Sequence, residues 1–65
     1  MKLKVNGNEE VVDVSTLADY LALCGLLGKR IAVEHNGEIV PKSAFGATQL
    51  EDGDALEIVH AIGGG

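Results

Sequence analysis

The chain has 65 residues, a length that allows one small domain, and the only aromatic residues are Tyr20 and Phe45. Its formal net charge of -5 argues against binding to nucleic acid or to an anionic membrane surface. The lone Cys24 excludes an intramolecular disulfide, and no Cys/His spacing is typical of a zinc site. No signal peptide or membrane span is recognisable, so we expect a cytoplasmic protein.

The N-terminal residues predict a β-hairpin. Apolar residues alternate with lysines over residues 1–5, which is the period of a half-buried strand. Asn6-Gly7-Asn8 supplies turn chemistry, because Asn and Gly accept the positive φ that tight hairpins need. Residues 10–14 alternate again and form the predicted return strand.

A short helix is predicted next. Ser15-Thr16 offers N-cap side chains, and Asp19 falls in the first turn, where the helix dipole favours an acid. Gly25 and Gly28 end the helix. Helical spacing places four residues on its buried face, namely Leu17, Tyr20, Leu21 and Cys24. We therefore expect Cys24 to pack in the core.

The second half of the chain predicts further strands. Residues 31–34 alternate, Asn36-Gly37 turns the chain into a brief strand, and Pro41 ends the pairing. An irregular segment anchored by Phe45 and a turn at residues 51–54 precede a last strand, in which Leu56 and Ile58 face inward. The order predicts an α+β domain: a mixed sheet of four to five strands with one main helix on one face.

No constellation of residues predicts catalysis. We interpret His35 as a solvated strand end and His60 as a polar residue near the exit of the last strand. The acidic residues Glu51, Asp52 and Asp54 lack the further ligands of a calcium loop and predict a solvated turn. We expect no catalytic residue, no metal and no bound cofactor, and hence a protein that is not an enzyme.

The sequence ends in three glycines, Gly63-Gly64-Gly65. Such a segment is either a frayed terminus or an arm that enters a slot too narrow for other residues. Extended, it reaches about 10 Å and carries one functional group, the carboxylate of Gly65. That carboxylate is a poor electrophile until another protein activates it. The residues alone leave both interpretations open.

Several motifs together carry a family resemblance. They are the strand and turn "HNGEIVP", the "DGD" turn, "IVHAI" and the terminal glycine pair. In this order the chain resembles the thiamin-biosynthesis sulfur carrier proteins (ThiS), small members of the ubiquitin-like β-grasp fold. The resemblance implies a β-grasp domain over residues 1–62 and a flexible glycine tail over residues 63–65.

The resemblance also implies a function. An E1-like adenylating enzyme (ThiF-type) would use ATP to adenylate Gly65, and sulfur from a donor protein would convert it to a thiocarboxylate. Thiazole synthase (ThiG-type) would then take that sulfur. Gly63 and Gly64 would let the tail reach the active sites of these partners. The chain itself is expected to be a monomer when free.

The last strand and the turn before it are expected to meet the partner. If Leu56 and Ile58 face the helix, the next residues along the strand lie on the opposite face; these are Glu57, Val59 and Ala61. We hypothesise that this exposed face docks the adenylating enzyme. Ile62 would contribute to the docking where the tail leaves the domain. Glu51, Asp52 and Asp54 would steer a basic partner. Three alternatives remain: a molybdopterin-type sulfur carrier, a non-covalent β-grasp interaction module and a modifier joined to lysines.

Overall fold

The computed structural model describes residues 1–61; Ile62 and the predicted tail, residues 63–65, lie outside the described residues. The strands are β1 (Lys2–Val5), β2 (Asn8–Val11), β3 (Ile31–His35), β4 (Glu38–Val40) and β5 (Ala55–His60). One helix, α1 (Leu17–Leu23), follows β2 in the chain, and a 3-10 turn (Lys42–Ala44) follows β4. Across this described part of the chain, we find no helix with the length and apolar character needed to cross a membrane.

The strands form one mixed sheet in the order β2-β1-β5-β3-β4. β5 pairs in parallel with β1 and antiparallel with β3, so the last strand of the chain occupies the centre of the sheet. The pairs β1–β2 and β3–β4 are antiparallel hairpins. The predicted α+β architecture is therefore confirmed.

Both hairpins close through the same two-residue turn. Asn6 has a φ of 50° and Gly7 of 84°, and the pair Asn36-Gly37 has 50° and 86°. Positive φ at both central residues matches the right-handed twist of the flanking strands, and Asn and Gly tolerate it best. The turn chemistry read from the sequence is thus the chemistry that fixes both hairpin registers.

α1 is closed at both ends by local hydrogen bonds. The hydroxyl of Thr16 accepts from the Asp19 N–H at 3.1 Å, and the Asp19 carboxylate accepts from the Thr16 N–H at 3.1 Å, which is a capping box. At the other end Gly25 has a φ of 72°, and the Leu26 N–H donates to the Leu21 carbonyl at 2.8 Å. This Schellman closure lets the chain reverse towards β3.

The core lies between α1 and one face of the sheet. Phe45 and Leu50, from the segment between β4 and β5, close one side of it, so Phe45 is the anchor that the sequence predicts. The opposite face of the sheet stays open to solvent. The buried apolar residues are Leu3, Val5, Leu17, Tyr20, Leu21, Val33, Phe45, Leu50, Leu56 and Ile58.

Two local predictions need correction. Cys24 is exposed, so its predicted place in the core is wrong. The reason is that α1 ends at Leu23, and the turn through Gly25 sends Leu26 against the core instead. β2 also ends at Val11, earlier than the alternation up to residue 14 suggests, although Val12 and Val14 still pack against the core.

Candidate functional site

The exposed side of β5 leads directly towards the predicted glycine tail. Leu56 and Ile58 are buried beneath α1, whereas Glu57 and Val59 point to the open face of the sheet. Val59 is 58% exposed, and Ala61, just past the end of the strand, is exposed as well. The predicted alternation along this strand is confirmed.

Two asparagine side chains hold β5 in the centre of the sheet. The Asn6 amide accepts from the Ile58 N–H at 2.7 Å and donates to the Ile58 carbonyl at 3.1 Å. On the other side, the Asn36 side-chain oxygen accepts from the Ala55 N–H at 2.9 Å, while the Asn36 N–H donates to the Ala55 carbonyl at 2.8 Å. Each hairpin turn therefore extends the strand pairing through an amide that imitates a peptide group.

The end of β5 is fixed by backbone contacts. His60 pairs with Ile31, and the Ala61 N–H donates to the Arg30 carbonyl at 3.0 Å. His60 is exposed. Ordered backbone pairing therefore continues to Ala61. The site residues predicted beyond it, namely Ile62, Gly63, Gly64 and Gly65, lie outside the described residues.

The open face around β5 carries a compact set of exposed side chains. Val59 lies opposite Ala32 of β3, and Glu57 lies opposite Glu34, which in turn lies opposite Ile39 of β4. Ile39 is 70% exposed. We refer to Ala32, Glu34, Ile39, Glu57 and Val59 as the open-face patch.

Sequence reasoning found only part of this patch. It predicted Glu57 and Val59 from the parity of β5 but did not include Ala32, Glu34 or Ile39. The two-residue turn at Asn36-Gly37 does carry a signal, since it sets His35 opposite Glu38 and so Glu34 opposite Ile39. That β3 is the neighbour of β5 has no comparable local signal.

Asp54 is not part of a solvated turn, so this prediction is wrong. It is 9% exposed, and its carboxylate lies 2.6 Å from His35 Nε2, 3.1 Å from Asn36 Nδ2 and 2.9 Å from the Glu51 N–H. His35 is accordingly half-buried rather than a solvated strand end. Burial by itself would raise the pKa of Asp54, but the hydrogen bonds from His35, Glu51 and Asn36 outweigh it and leave the pKa below its ordinary value.

The other two acidic residues of this turn, Glu51 and Asp52, are exposed. They lie far from Ala61, because β5 extends between them and its own end. Five steps of about 3.3 Å place the start and the end of β5 roughly 17 Å apart. At the far end, the Lys29-Arg30 segment lies beside Ala61, which sequence reasoning did not anticipate.

The described residues offer little for catalysis or metal binding. Among residues 1–61, no group of three or more His, Cys, Asp or Glu side chains is placed to hold a metal ion. Tyr20 is buried, and its hydroxyl donates to Glu10 Oε1 at 2.7 Å. Burial, together with hydrogen bonds to Cys24 and Glu10, raises the pKa of the Tyr20 phenol far above its ordinary value, which suits a structural anchor rather than an acid or base.

Comparison with known proteins connects this arrangement to one family. The model of the ThiS family matches residues 3–65. The sulfur carrier protein ThiS of Bacillus subtilis is 40% identical over 65 residues, which cover 97% of this chain and 98% of that protein. The crystal structure of the thiamine biosynthesis protein (ThiS) from Geobacter metallireducens superposes with a TM-score of 0.86 at 36% identity, covering all of both chains. The predicted ubiquitin-like β-grasp fold is thereby confirmed.

Longer proteins also contain a related segment. The thiazole synthase of Paramagnetospirillum magneticum is 48% identical over 68 residues, which cover 100% of this chain but 20% of that protein. The thiazole synthase of Magnetococcus marinus is 35% identical over 66 residues with the same coverage. The chain therefore spans about a fifth of the length of these two relatives.

Proposed function

The chain belongs to the ThiS family, and we propose on this ground that it is a sulfur carrier for the thiazole ring of thiamin rather than an enzyme. The observation that carries the proposal is the full-length similarity to the Bacillus subtilis sulfur carrier protein ThiS. The carrier is a co-substrate, which its partners load, empty and regenerate.

The chemistry takes place on the carboxylate of Gly65. A carboxylate oxygen attacks the α-phosphorus of ATP in the active site of an E1-like (ThiF-type) enzyme, and pyrophosphate leaves. A persulfide sulfur on a donor protein then attacks the acyl carbon, and AMP leaves. A thiol cleaves the resulting S–S bond, which forms a disulfide with the donor and releases the Gly65 thiocarboxylate. Gly63 and Gly64 have no Cβ, so they can follow the carboxylate into a narrow channel. Because the reaction consumes ATP, we place the protein in the cytoplasm. We also propose that the chain is a monomer when free.

A thiazole synthase is the second proposed partner. The relatives named thiazole synthase contain a segment similar to this chain within a much longer protein, which is what a carrier joined to its acceptor would look like. Thiazole synthase (ThiG-type) would accept the sulfur from the Gly65 thiocarboxylate.

The exposed residues at the end of the sheet are proposed to meet the adenylating enzyme. Glu57, Val59 and Ala61 lie on the open face or just past it, and Ile62 follows them in sequence. Exposed apolar side chains on a sheet face are typical of docking surfaces. Glu51 and Asp52 are exposed as well and are proposed to steer a basic partner.

Intact-mass measurement tests the proposal. The chain is incubated with ATP, a sulfur donor and the ThiF-type enzyme of the same organism. We expect the mass change of one oxygen replaced by sulfur, and no change for a variant that lacks Gly65. If the enzyme loads an established ThiS carrier from another organism in a parallel reaction but leaves this chain unchanged, the carrier function is wrong and a non-covalent β-grasp interaction module is favoured.

The molybdopterin-type alternative is separated by genetics. Three of the relatives named above carry thiamine or thiazole in their names, which favours the thiamin pathway. An allele truncated before Gly65 should cause a requirement for thiamin or its thiazole moiety. If the growth defect of this allele is relieved only when molybdenum cofactor is supplied, the proposed pathway is contradicted.

A further inference from the structure

The centre of the open face contains an arrangement that is unfavourable by itself. Glu34 and Glu57 occupy directly opposite positions on the antiparallel strands β3 and β5. Like charges placed directly opposite one another destabilise a sheet. Neither the Lys2–Glu9 nor the His35–Asp54 salt bridge involves Glu34 or Glu57.

The two carboxylates are bordered by aliphatic side chains. Ile39 is the next residue across the sheet from Glu34 and is 70% exposed. Ala32 and Val59 form the adjacent row towards the end of β5, and Val59 is 58% exposed. The open-face patch therefore combines two negative charges with an apolar border, on a sheet face that no described element covers.

We propose that the open-face patch is the receptor for an arginine of the E1-like adenylating enzyme, an inference that rests on the proposed function. A guanidinium group is planar, always charged and able to donate to two carboxylates at once, and its stem packs on aliphatic side chains. Placed between Glu34 and Glu57, it converts their repulsion into two charge-assisted hydrogen bonds. Ile39, Ala32 and Val59 exclude water around it, as the surroundings of an interface hot spot do.

The open-face patch lies next to the end of β5, and this position favours the adenylating enzyme as the partner. Gly65 follows Ala61 by four positions in the sequence, so the reacting carboxylate lies at most about 14 Å from Ala61. An enzyme that closes over Gly65 must therefore approach the end of β5 closely. The core side of the sheet is occupied by α1, which leaves the open face as the broad surface next to that end.

The test measures the KM for the whole carrier chain in ATP–pyrophosphate exchange by the adenylating enzyme of the same organism. The variants are Glu34→Gln, Glu57→Gln and the double substitution, with Glu38→Gln as the matched control. Glu38 is also an exposed glutamate near the same hairpin, but it lies opposite His35 on the other side of the sheet. We expect each patch variant to raise KM on the order of tenfold without changing kcat, and the control to change KM less than about twofold.

Thermal unfolding of the same variants separates docking from folding. Because each patch substitution removes one of two opposed like charges, we expect an unchanged or higher Tm together with the weaker docking. A lower Tm in the patch variants would show that the glutamates stabilise the fold, and would overturn the inference.

The remaining outcomes are equally decisive. An unchanged KM in the double variant, or an equal rise in the Glu38→Gln control, overturns the arginine receptor while the exchange by the unmodified chain still supports the carrier function. If the patch variants raise KM only for sulfur transfer to thiazole synthase and not for adenylation, the patch is assigned to the synthase and the arginine receptor of the adenylating enzyme is overturned. Absence of any exchange with the unmodified chain removes the proposed function, and with it the inference.

Discussion

Asn6 and Asn36 each perform two tasks that few other residues could combine. Both adopt a φ of 50°, which asparagine tolerates better than most non-glycine residues. Both also place a side-chain amide against the backbone of β5, at Ile58 and Ala55 respectively. Glycine would satisfy the dihedral angle but would leave these backbone groups of the central strand without their partners.

Replacing Asn6 by aspartate tests the amide at this position. Asn6→Asp keeps the shape of the side chain but loses the donor to the Ile58 carbonyl and sets a charge beside it, so we expect a loss of about 1–3 kcal/mol in the free energy of unfolding. Asn8→Asp makes the same chemical change two residues away, at an exposed position. Urea denaturation should show a change within about 0.5 kcal/mol for this control, and equal losses would contradict the assignment.

The Asp54 carboxylate joins two turns that are distant in sequence. It accepts hydrogen bonds from His35 and Asn36 at the end of β3 and from the Glu51 N–H in its own turn. These contacts favour the charged form of Asp54 and hold its pKa below the ordinary value despite burial. A buried carboxylate with this set of donors is a structural group, which explains why it is unsuited to steering a partner.

The pH dependence of stability should show the role of Asp54. A carboxyl group with a lowered pKa in the folded state stabilises the protein above the unfolded pKa of about 3.9, and this contribution is lost as the pH falls through the folded pKa. We expect Asp54→Asn to cost about 1–3 kcal/mol near pH 7 and progressively less below about pH 4. Urea denaturation over a pH series measures this, and a difference that stays constant with pH would contradict it.

At the level of elements, α1 depends on its caps more than a longer helix would. The helix has 7 residues, below the length at which isolated helices are stable in water. Its buried face supplies Leu17, Tyr20 and Leu21, and the capping box of Thr16 and Asp19 satisfies donors of the first turn. The hydrogen bonds from the Thr16 and Ser15 N–H groups lower the pKa of Asp19, as expected for a carboxylate at a helix N-terminus.

Removal of the N-cap hydroxyl tests this dependence. We expect Thr16→Ala to lower the free energy of unfolding by about 1 kcal/mol, because the Asp19 N–H loses its acceptor. Ser15→Ala removes a neighbouring exposed hydroxyl that is not the cap and should cost less than about 0.5 kcal/mol. Chemical denaturation measures the free energy of unfolding of both variants. A greater loss in Ser15→Ala than in Thr16→Ala would contradict the assignment of Thr16 as the N-cap.

Over the whole molecule, the acidic turn and the end of β5 lie apart. Glu51 and Asp52 sit at the start of β5, whereas the backbone of Arg30 contacts Ala61 beyond its end. The separation of roughly 17 Å exceeds the Debye length of about 8 Å at physiological ionic strength. Steering by this turn would therefore act on the approach of a partner more than on contacts at the end of β5.

A charge reversal measures that contribution. We expect Glu51→Lys to slow association with the adenylating enzyme by a few-fold at low ionic strength, with the difference vanishing near 0.5 M salt. Asp13→Lys changes the net charge equally at another exposed position and should have a smaller effect. Stopped-flow association rates compare the two, and equal effects would show that net charge rather than the turn accounts for the steering.

The sequence by itself determined the features that depend on neighbours along the chain. Alternation, the Asn-Gly turns and the glycine after α1 defined the strands, the hairpins and the exposed face of β5, because these signals act over a few residues. The family motifs then indicated the β-grasp fold and the role proposed for Gly65.

Only the tertiary structure decided the contacts between distant segments. The placement of β5 between β1 and β3 sets Glu57 opposite Glu34 and brings Asp54 to His35. The exposure of Cys24 depends in the same way on where the turn after α1 returns the chain to the core. Such pairings are chosen by the packing of the whole sheet against α1, and a local pattern contains no information about which distant strand will be its neighbour.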